Sequence, residues 1–545
     1  MNIVIVGGVA GGMSAATRAR RMNEHASITV IEKGGFISFA NCGLPYYLGG
    51  TITDESKLLI TTPDAVRSRF RIDVRVRHEV TRIDRSKRTV EVLDHDSGKS
   101  STLPYDKLIL ATGAIPIIPP IDNVRAKNVF VLRSVEDTQA IWNHLTILKP
   151  TRIAIIGGGF IGLEMAEQMK HRGLDVTLVE KNAHVLPPLD SEMAEMLDEE
   201  LVRKGVKVFT GNGLKALEGA PDRVNAVILD DGTRVETDLV VMSIGVRPNV
   251  GLAKEAGIDL GNSGAVRVDA HGRTNDPAIY AVGDMTEIVH GVTKQPVRIP
   301  LAGPANRHGR LAGEHAATGE SARFPAAMGT AIVKVFDLAA GITGLSEKAA
   351  RAEGFEIDTA YVIVNNHVGY YPGATPVHLK LVYEKASGRV LGAQALGKDG
   401  VDKRLDVIAT TLHFGGTVHD LTELDLAYSP QYGAAKDPVH MAGFVATNQQ
   451  RGIGPSVRAT DLTGELKLDV RSPGEFASGS IPGAINIPLD DLRERLADVD
   501  PDREIVTFCK VGQRGYVAQR ILQQRGYSKV RNLKGGLTIA ARQTP

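Results

Sequence analysis

The chain of 545 residues has only two cysteines, one tryptophan and 5% aromatic residues. Two thiols as far apart as Cys42 and Cys509 do not make a disulfide framework, so a reducing cytoplasm is the expected compartment. No run of about 18 apolar residues occurs, and no membrane span is expected. The chain opens directly on a strand-like segment, without the charged region, apolar core and cleavage site of a secretory signal. A net charge of +1 supplies no field for nucleic acid or a membrane surface. No metal site is expected. Glycine, by contrast, is abundant at 58 residues, as several nucleotide-binding turns would require, and the length calls for several domains.

Asn2 to Val6 reads as a buried strand that runs into Gly7-Gly8-Val9-Ala10-Gly11-Gly12, followed by a helical stretch to Arg21. A second strand, Ser27 to Ile31, ends at Glu32 and Lys33. Strand, glycine turn, helix, strand and acid form the dinucleotide-binding pattern. It recurs at Arg152 to Ile156, Gly157-Gly158-Gly159-Phe160-Ile161-Gly162 and Asp175 to Val179, again ending in an acid, Glu180. Unpaired N–H groups at a helix start suit a pyrophosphate, glycines allow close approach, and the acid can accept from a ribose diol. Glu180 would repel the 2′-phosphate of NADPH and so favours NADH; Lys181 beside it keeps NADPH open. Further turns stand at Thr112-Gly113, Gly245 and Gly283-Asp284.

This order of motifs resembles the two-dinucleotide flavoprotein disulfide reductases over about residues 1–445. The resemblance implies an α/β fold. Residues 1–112 and 248–323 would form an FAD-binding domain, 113–247 an NAD(P)H-binding domain, and 324–444 an α+β dimerisation domain that makes a homodimer. Gly7, Gly8, Ala10, Gly11, Gly12, Glu32, Lys33, Thr112, Gly113, Gly283 and Asp284 would serve FAD. Gly157, Gly159, Phe160, Ile161, Gly162, Glu180 and Gly245 would serve the nicotinamide nucleotide. Residues 445–457, polar and glycine-containing, read as a linker.

Cys42 lies in Ser38-Phe39-Ala40-Asn41-Cys42-Gly43-Leu44-Pro45 with no second cysteine near it, so it can hold a mixed disulfide, a persulfide or a sulfenic acid. Pro45 suits a helix start and would place the sulfur at a helix N-terminus, where a thiolate is favoured. NADH peroxidases and oxidases, one alternative, carry a histidine in the first glycine turn; here that position is Ala10. The turn and the Cys42 segment instead resemble coenzyme A disulfide reductases. That resemblance assigns coenzyme A contacts to Ser14, Arg18, Arg21, Ser38, Asn41, Arg71 and Lys436, and active-site roles to Tyr370 (or Tyr371) and Tyr428. The plain alternative for each arginine is a solvated surface charge, and for the tyrosines interface packing.

Asp469-Val470-Arg471, Ile481-Pro482-Gly483-Ala484 and the strand Ile505 to Phe508 ending at Cys509-Lys510-Val511-Gly512-Gln513-Arg514-Gly515 resemble the rhodanese domain, expected over 458–545. Such a loop turns N–H groups inward and stabilises a thiolate or persulfide, with Arg514 adding charge. Ser480 stands where a histidine is common. The expectation is an FAD- and NAD(P)H-dependent reductase of coenzyme A persulfide, polysulfide or disulfide, with Cys42 taking electrons and Cys509 handling sulfane sulfur. A rhodanese module used only for docking is the other alternative.

Overall fold

The computed structural model describes residues 1–543; the last two residues of the expected rhodanese range lie outside it. The chain divides into two compact units. The first, residues 1–183 and 205–329, holds two five-stranded sheets of wholly parallel pairing. One runs in the order Ile279–Ala281, Lys107–Leu110, Asn2–Val6, Ser27–Ile31, Asp73–Arg75. Its central strand pairs in register with both neighbours, Val4 opposite Thr29 and Leu108. The other runs Lys207–Phe209, Asp175–Val179, Arg152–Ile156, Leu239–Met242, Val129–Val131. Parallel strands are buried on both faces and read as continuous aliphatic runs, as Ile153, Ala154, Ile155 and Ile156 do here.

Helix Ala10–Met22 packs closely on helix Ala302–Thr318. Small residues permit it: a Cβ on Gly309 would stand 2.3 Å from the Gly11 carbonyl oxygen, and one on Gly313 2.2 Å from that of Ala15. The two glycines are four apart and so share one helix face.

The second unit holds residues 184–204 and everything from Thr330 onward. An antiparallel sheet runs Ala331–Val335, Leu338–Gly344, Val390–Gly397, Pro376–Glu384, Ile357–Asn365, with helices Val401–His413 and Pro438–Gln450 packed on it. A five-stranded parallel sheet follows, ordered Ser456–Val457, Val530–Leu533, Ile505–Phe508, Leu466–Asp469, Ile485–Asn486.

Two features bear on the domain limits expected from the sequence. Residues 184–204 were expected inside one nicotinamide domain spanning 113–247, but they pack with the C-terminal unit. Lys380, 3% exposed, binds them there: its ammonium lies 2.8 Å from Asp190, 2.5 Å from Glu192 and 2.8 Å from Glu347. Gln394 also donates to Asp190. These carboxyl groups lie close enough together to ligate a cation, and the lysine ammonium fills that role. The second feature is the segment expected as a linker. Residues 445–450 are the last turns of helix Pro438–Gln450, and strand Ser456–Val457 begins after five intervening residues. The short connection is held, not loose: Arg520 donates to the Ile453 carbonyl and Gln519 to that of Pro455.

The C-terminal module is also pinned to the antiparallel sheet. Lys534 pairs with Asp358 and donates to Thr359 Oγ1 at 3.0 Å. Arg458 reaches Glu347 at 2.9 Å, and Arg542 reaches Glu199 at 2.7 Å.

Candidate active site

The first glycine turn is shaped for close approach. Gly7 has φ +105°, where an L side chain is strained, and a Cβ on Gly12 would lie 1.8 Å from the Gly7 carbonyl oxygen. Glu32 locks the turn by accepting from the Gly8 N–H at 2.7 Å and the Gly34 N–H at 2.7 Å. Burial pushes the Glu32 carboxyl up against these hydrogen bonds, which pull it down. The second turn repeats the device. Gly157 has φ +108°, a Cβ on Gly162 would lie 1.9 Å from its carbonyl oxygen, and Glu180 accepts from Gly158 N–H at 2.7 Å. Asn182 covers the other Glu180 oxygen. Gly159 caps helix Phe160–His171, which starts with Phe160 and Ile161, and Gly245 has φ +109°.

A cavity of about 1580 Å³ opens over the first turn. Gly7, Ala10, Gly11, Glu32, Lys33, Thr112, Gly113, Gly283 and Asp284 line it, together with Ser14, Ser38, Asn41 and Cys42. Gly8 and Gly12 support the turn by their backbone. Arg133, which the sequence did not single out, also lines the cavity: it pairs with Asp284 at 2.9 Å, and its carbonyl accepts from Asn41. The glycine cradle, the acid at the strand end and the size of the cavity fit FAD, and Cys42 borders the same space.

The Cys42 setting differs from the expected one. Asn41–Gly43 is a single 3-10 turn ahead of a six-residue helix, Leu44–Gly49, with Pro45 in its first turn. Partial burial, then the charge of Glu164, push Cys42 up, while Arg133 pulls the other way.

Among the expected coenzyme A contacts, Ser14 lines the cavity and donates to Asn306. Ser38 lies at φ +46°. Arg18 is taken up by a two-pronged pair with Glu314 at 2.7 and 2.9 Å. Arg21 and Arg71 are exposed, and Arg71 caps helix Pro63–Phe70 at φ +52°. Arg69, in the same basic cluster of Arg67, Arg69 and Arg71 that the sequence offers for coenzyme A phosphates, lines the cavity instead. Arg20 is structural, since its buried guanidinium donates to four backbone carbonyls.

In the second unit the Tyr370 and Tyr428 hydroxyls meet at 3.3 Å on exposed loops, and that contact raises Tyr370. Tyr371 instead stands edge-on to His367. Arg404, fully buried, pairs with Asp437 at 2.7 Å and donates to the Asn366 carbonyl, joining the bases of the two tyrosine loops. Lys436 is exposed beside Asp437.

The Cys509 loop is closed from two sides. Gly512, at φ +99°, caps the helix Gln513–Gln524 and donates its N–H to Cys509 Sγ at 3.2 Å. Leu537 N–H donates to the Cys509 carbonyl. The thiol is 1% exposed. Arg514 makes a bidentate pair with Glu475 at 2.7 and 2.8 Å, which pushes the Glu475 carboxyl down to about 2 and the guanidinium up. Ser480 donates to Asp469, which also holds Arg471.

A dinucleotide turn and a lone thiol on one cavity, a second dinucleotide turn, and an anion-cradling cysteine loop define a flavin- and nicotinamide-dependent thiol oxidoreductase joined to a sulfur-transfer module. The chain belongs to the pyridine nucleotide-disulphide oxidoreductase family, whose model matches residues 1–309. That family's dimerisation domain matches 330–437, and the rhodanese-like domain matches 459–539. FAD and NAD(P)H are the cofactors of the family. The chain is similar to reduced Bacillus anthracis CoADR-RHD, with 44% identity, 99% of this chain and 98% of that one covered, and a TM-score of 0.96. It is similar to a NAD-dependent persulfide reductase from A. fulgidus, with 38% identity, 99% and 100% covered, and a TM-score of 0.93. Coenzyme A disulfide reductase of Staphylococcus epidermidis is 34% identical over 444 residues, covering 82% of this chain and 99% of the relative.

Proposed function

We propose that the chain reduces coenzyme A persulfide, related polysulfides and coenzyme A disulfide with NAD(P)H, preferring NADH, and that it works as a homodimer in the cytoplasm. The observation that carries this reading is Cys42 on the wall of the dinucleotide cavity, with Ser14, Ser38 and Asn41 beside it. FAD, when bound there, supplies the two-electron link between nicotinamide and sulfur. The Cys42 thiolate attacks the outer sulfur of a persulfide and releases the coenzyme A thiol, leaving a persulfide on Cys42. With a coenzyme A disulfide, it displaces one thiol and keeps the other in a mixed disulfide. Two electrons and two protons then return Cys42 to the thiol and release hydrogen sulfide or the second coenzyme A. Tyr370 and Tyr428 serve the Cys42 of the second copy by donating to the departing thiolate. Cys509 accepts sulfane sulfur and passes it to a thiol such as coenzyme A.

Ala10 in the first glycine turn brings no imidazole to the cavity and disfavours peroxide chemistry at Cys42. The test is sulfide release on mixing NADH-reduced enzyme with coenzyme A persulfide. Cys42→Ser should abolish it with FAD retained, and Cys509→Ser should abolish only sulfur uptake from a donor. Sulfide output unchanged in both variants, or NADH consumption far faster with peroxide or oxygen than with persulfide, would overturn the reading.

A further inference from the structure

A short stretch of chain, Asn532 to Thr538, touches the Cys509 loop on one side and the antiparallel sheet on the other. On the loop side, Asn532 Nδ2 donates to the Gly512 carbonyl at 3.1 Å and Leu537 N–H to that of Cys509 at 2.9 Å. Thr538 donates to the Lys510 carbonyl through its N–H at 3.0 Å and its hydroxyl at 2.8 Å. On the sheet side, the Lys534 side chain, 11% exposed, pairs with Asp358 and donates to Thr359 Oγ1 at 3.0 Å. Both partners stand on strand Ile357–Asn365. Two successive glycines let the stretch fit between loop and sheet. A Cβ on Gly535 would fall 3.2 Å from Tyr361 Cδ1 of that strand, and one on Gly536 2.4 Å from the Cys509 carbonyl oxygen and 2.7 Å from the Gly512 nitrogen.

We propose that Lys534 is a positioning residue for Cys509: anchored on Asp358 and Thr359, it holds the stretch that keeps the cysteine loop shaped for a persulfide. The reason lies in the peptide unit, which is planar and trans, so that its C=O and N–H point to opposite sides. Three loop carbonyls, those of Cys509, Lys510 and Gly512, are fastened onto the stretch. The N–H groups of the residues that follow them, Lys510, Val511 and Gln513, are thereby turned away from it. Gly512 N–H reaches Cys509 Sγ at 3.2 Å. N–H groups turned into such a loop stabilise a charged sulfur. A nearly buried, paired ammonium is a firm anchor, because neither partner can leave without stranding the other's charge. Anchor and loop belong to different domains, so the sheet of the dimerisation domain takes part in sulfur transfer without touching the thiol. The inference rests on Cys509 carrying sulfane sulfur and adds what holds its loop in shape.

The test uses the full-length holoenzyme on a Cys42→Ser background, where Cys509 is the one remaining thiol. Thiosulfate loads it: an S–S bond to Cys509 forms as the S–S bond of thiosulfate breaks, and sulfite leaves with the electron pair. Excess donor is removed and dithiothreitol added at a fixed concentration; it draws the sulfur off as hydrogen sulfide while closing to its own disulfide. Loss of the extra sulfur mass is timed by intact-protein mass spectrometry. Asp358→Asn weakens the anchor without altering the domain that carries the loop, and should shorten the persulfide's lifetime by about three- to tenfold, the net scale of one hydrogen bond. Lys534→Met should shorten it at least as much. Arg458→Met cuts another tie of the same domain, to Glu347, away from the stretch, and should leave the lifetime at the parent value. Parent lifetimes in both Asp358→Asn and Lys534→Met would overturn the proposal, as would an equal shortening in Arg458→Met, the mark of general loosening. If Lys534→Met does not fold, Asp358→Asn alone decides. A parent that gains no sulfur from thiosulfate or polysulfide would sink the sulfur-carrier reading itself, whereas normal loading with unaltered lifetimes sinks only this inference.

Discussion

The hydroxyls of Tyr370 and Tyr428 stand 3.3 Å apart although 58 residues separate them. Two phenols in contact share one hydrogen bond, so one is a donor to spare and can meet a leaving thiolate. Tyr370→Phe and Tyr428→Phe should each lower kcat with coenzyme A disulfide by about tenfold or more, in line with the usual scale of acid–base assistance. The double variant should be little worse than the poorer single one, because the pair acts as a unit. Steady-state kinetics at matched FAD content checks this.

Lys380 neutralises three carboxylates brought together from two separate stretches of chain. Lys380→Met should cost about 3–5 kcal/mol, because it strands buried charge. Thermal unfolding at neutral pH measures it. Glu347 is held down to about 2 against its ordinary 4.5, with Lys380 as the main stabilising cause. Its contribution is therefore complete above about pH 4.5 and is lost as pH falls toward 2. Lys380 is held above its ordinary 10.5, so its contribution is complete below that and fades only at higher pH. The parent should lose stability steeply below pH 4.5, and Lys380→Met much less so.

At Gly12, a methyl group would collide with the Gly7 carbonyl 1.8 Å away, which is backbone and cannot yield. Gly12→Ala should leave the protein short of FAD, measured as flavin absorbance per chain. Gly98→Ala, at a surface turn with open space around it, should keep full flavin content.

Arg514 is oriented by Glu475 at the rim of the Cys509 loop. Arg514→Met should reduce thiosulfate sulfurtransfer by about tenfold or more, because a charge-assisted contact to an anionic donor is lost. Reduction of coenzyme A disulfide by NADH should be unchanged, since that assay bypasses Cys509.

Both dinucleotide halves were legible because a glycine turn constrains the backbone locally: Gly7, Gly12, Gly157 and Gly162 do work that no other residue could do there. The Cys509 loop was legible for the same reason. Features built from distant residues left no local mark. Nothing near Arg18 announces Glu314, 296 positions away, and Glu164 reads as one more helix residue until Tyr46 is seen against it. The sequence 445–450 looked like a linker because Asn448, Gln449 and Gln450 are polar, yet polar residues at a helix end are ordinary. Gln449 is engaged by Tyr383 and Ser456, a contact that only tertiary structure reveals. The helix after Cys42 was foreseen from Pro45, but not its brevity.

The held connection between Gln450 and Ser456 has a practical consequence. A protease needs several residues of pliable chain to cut, and here little more than one turn is on offer, with two of its carbonyls occupied. Limited digestion should therefore leave the C-terminal module attached under conditions that would free a domain on a string, and the sulfurtransferase would travel with its reductase as one particle.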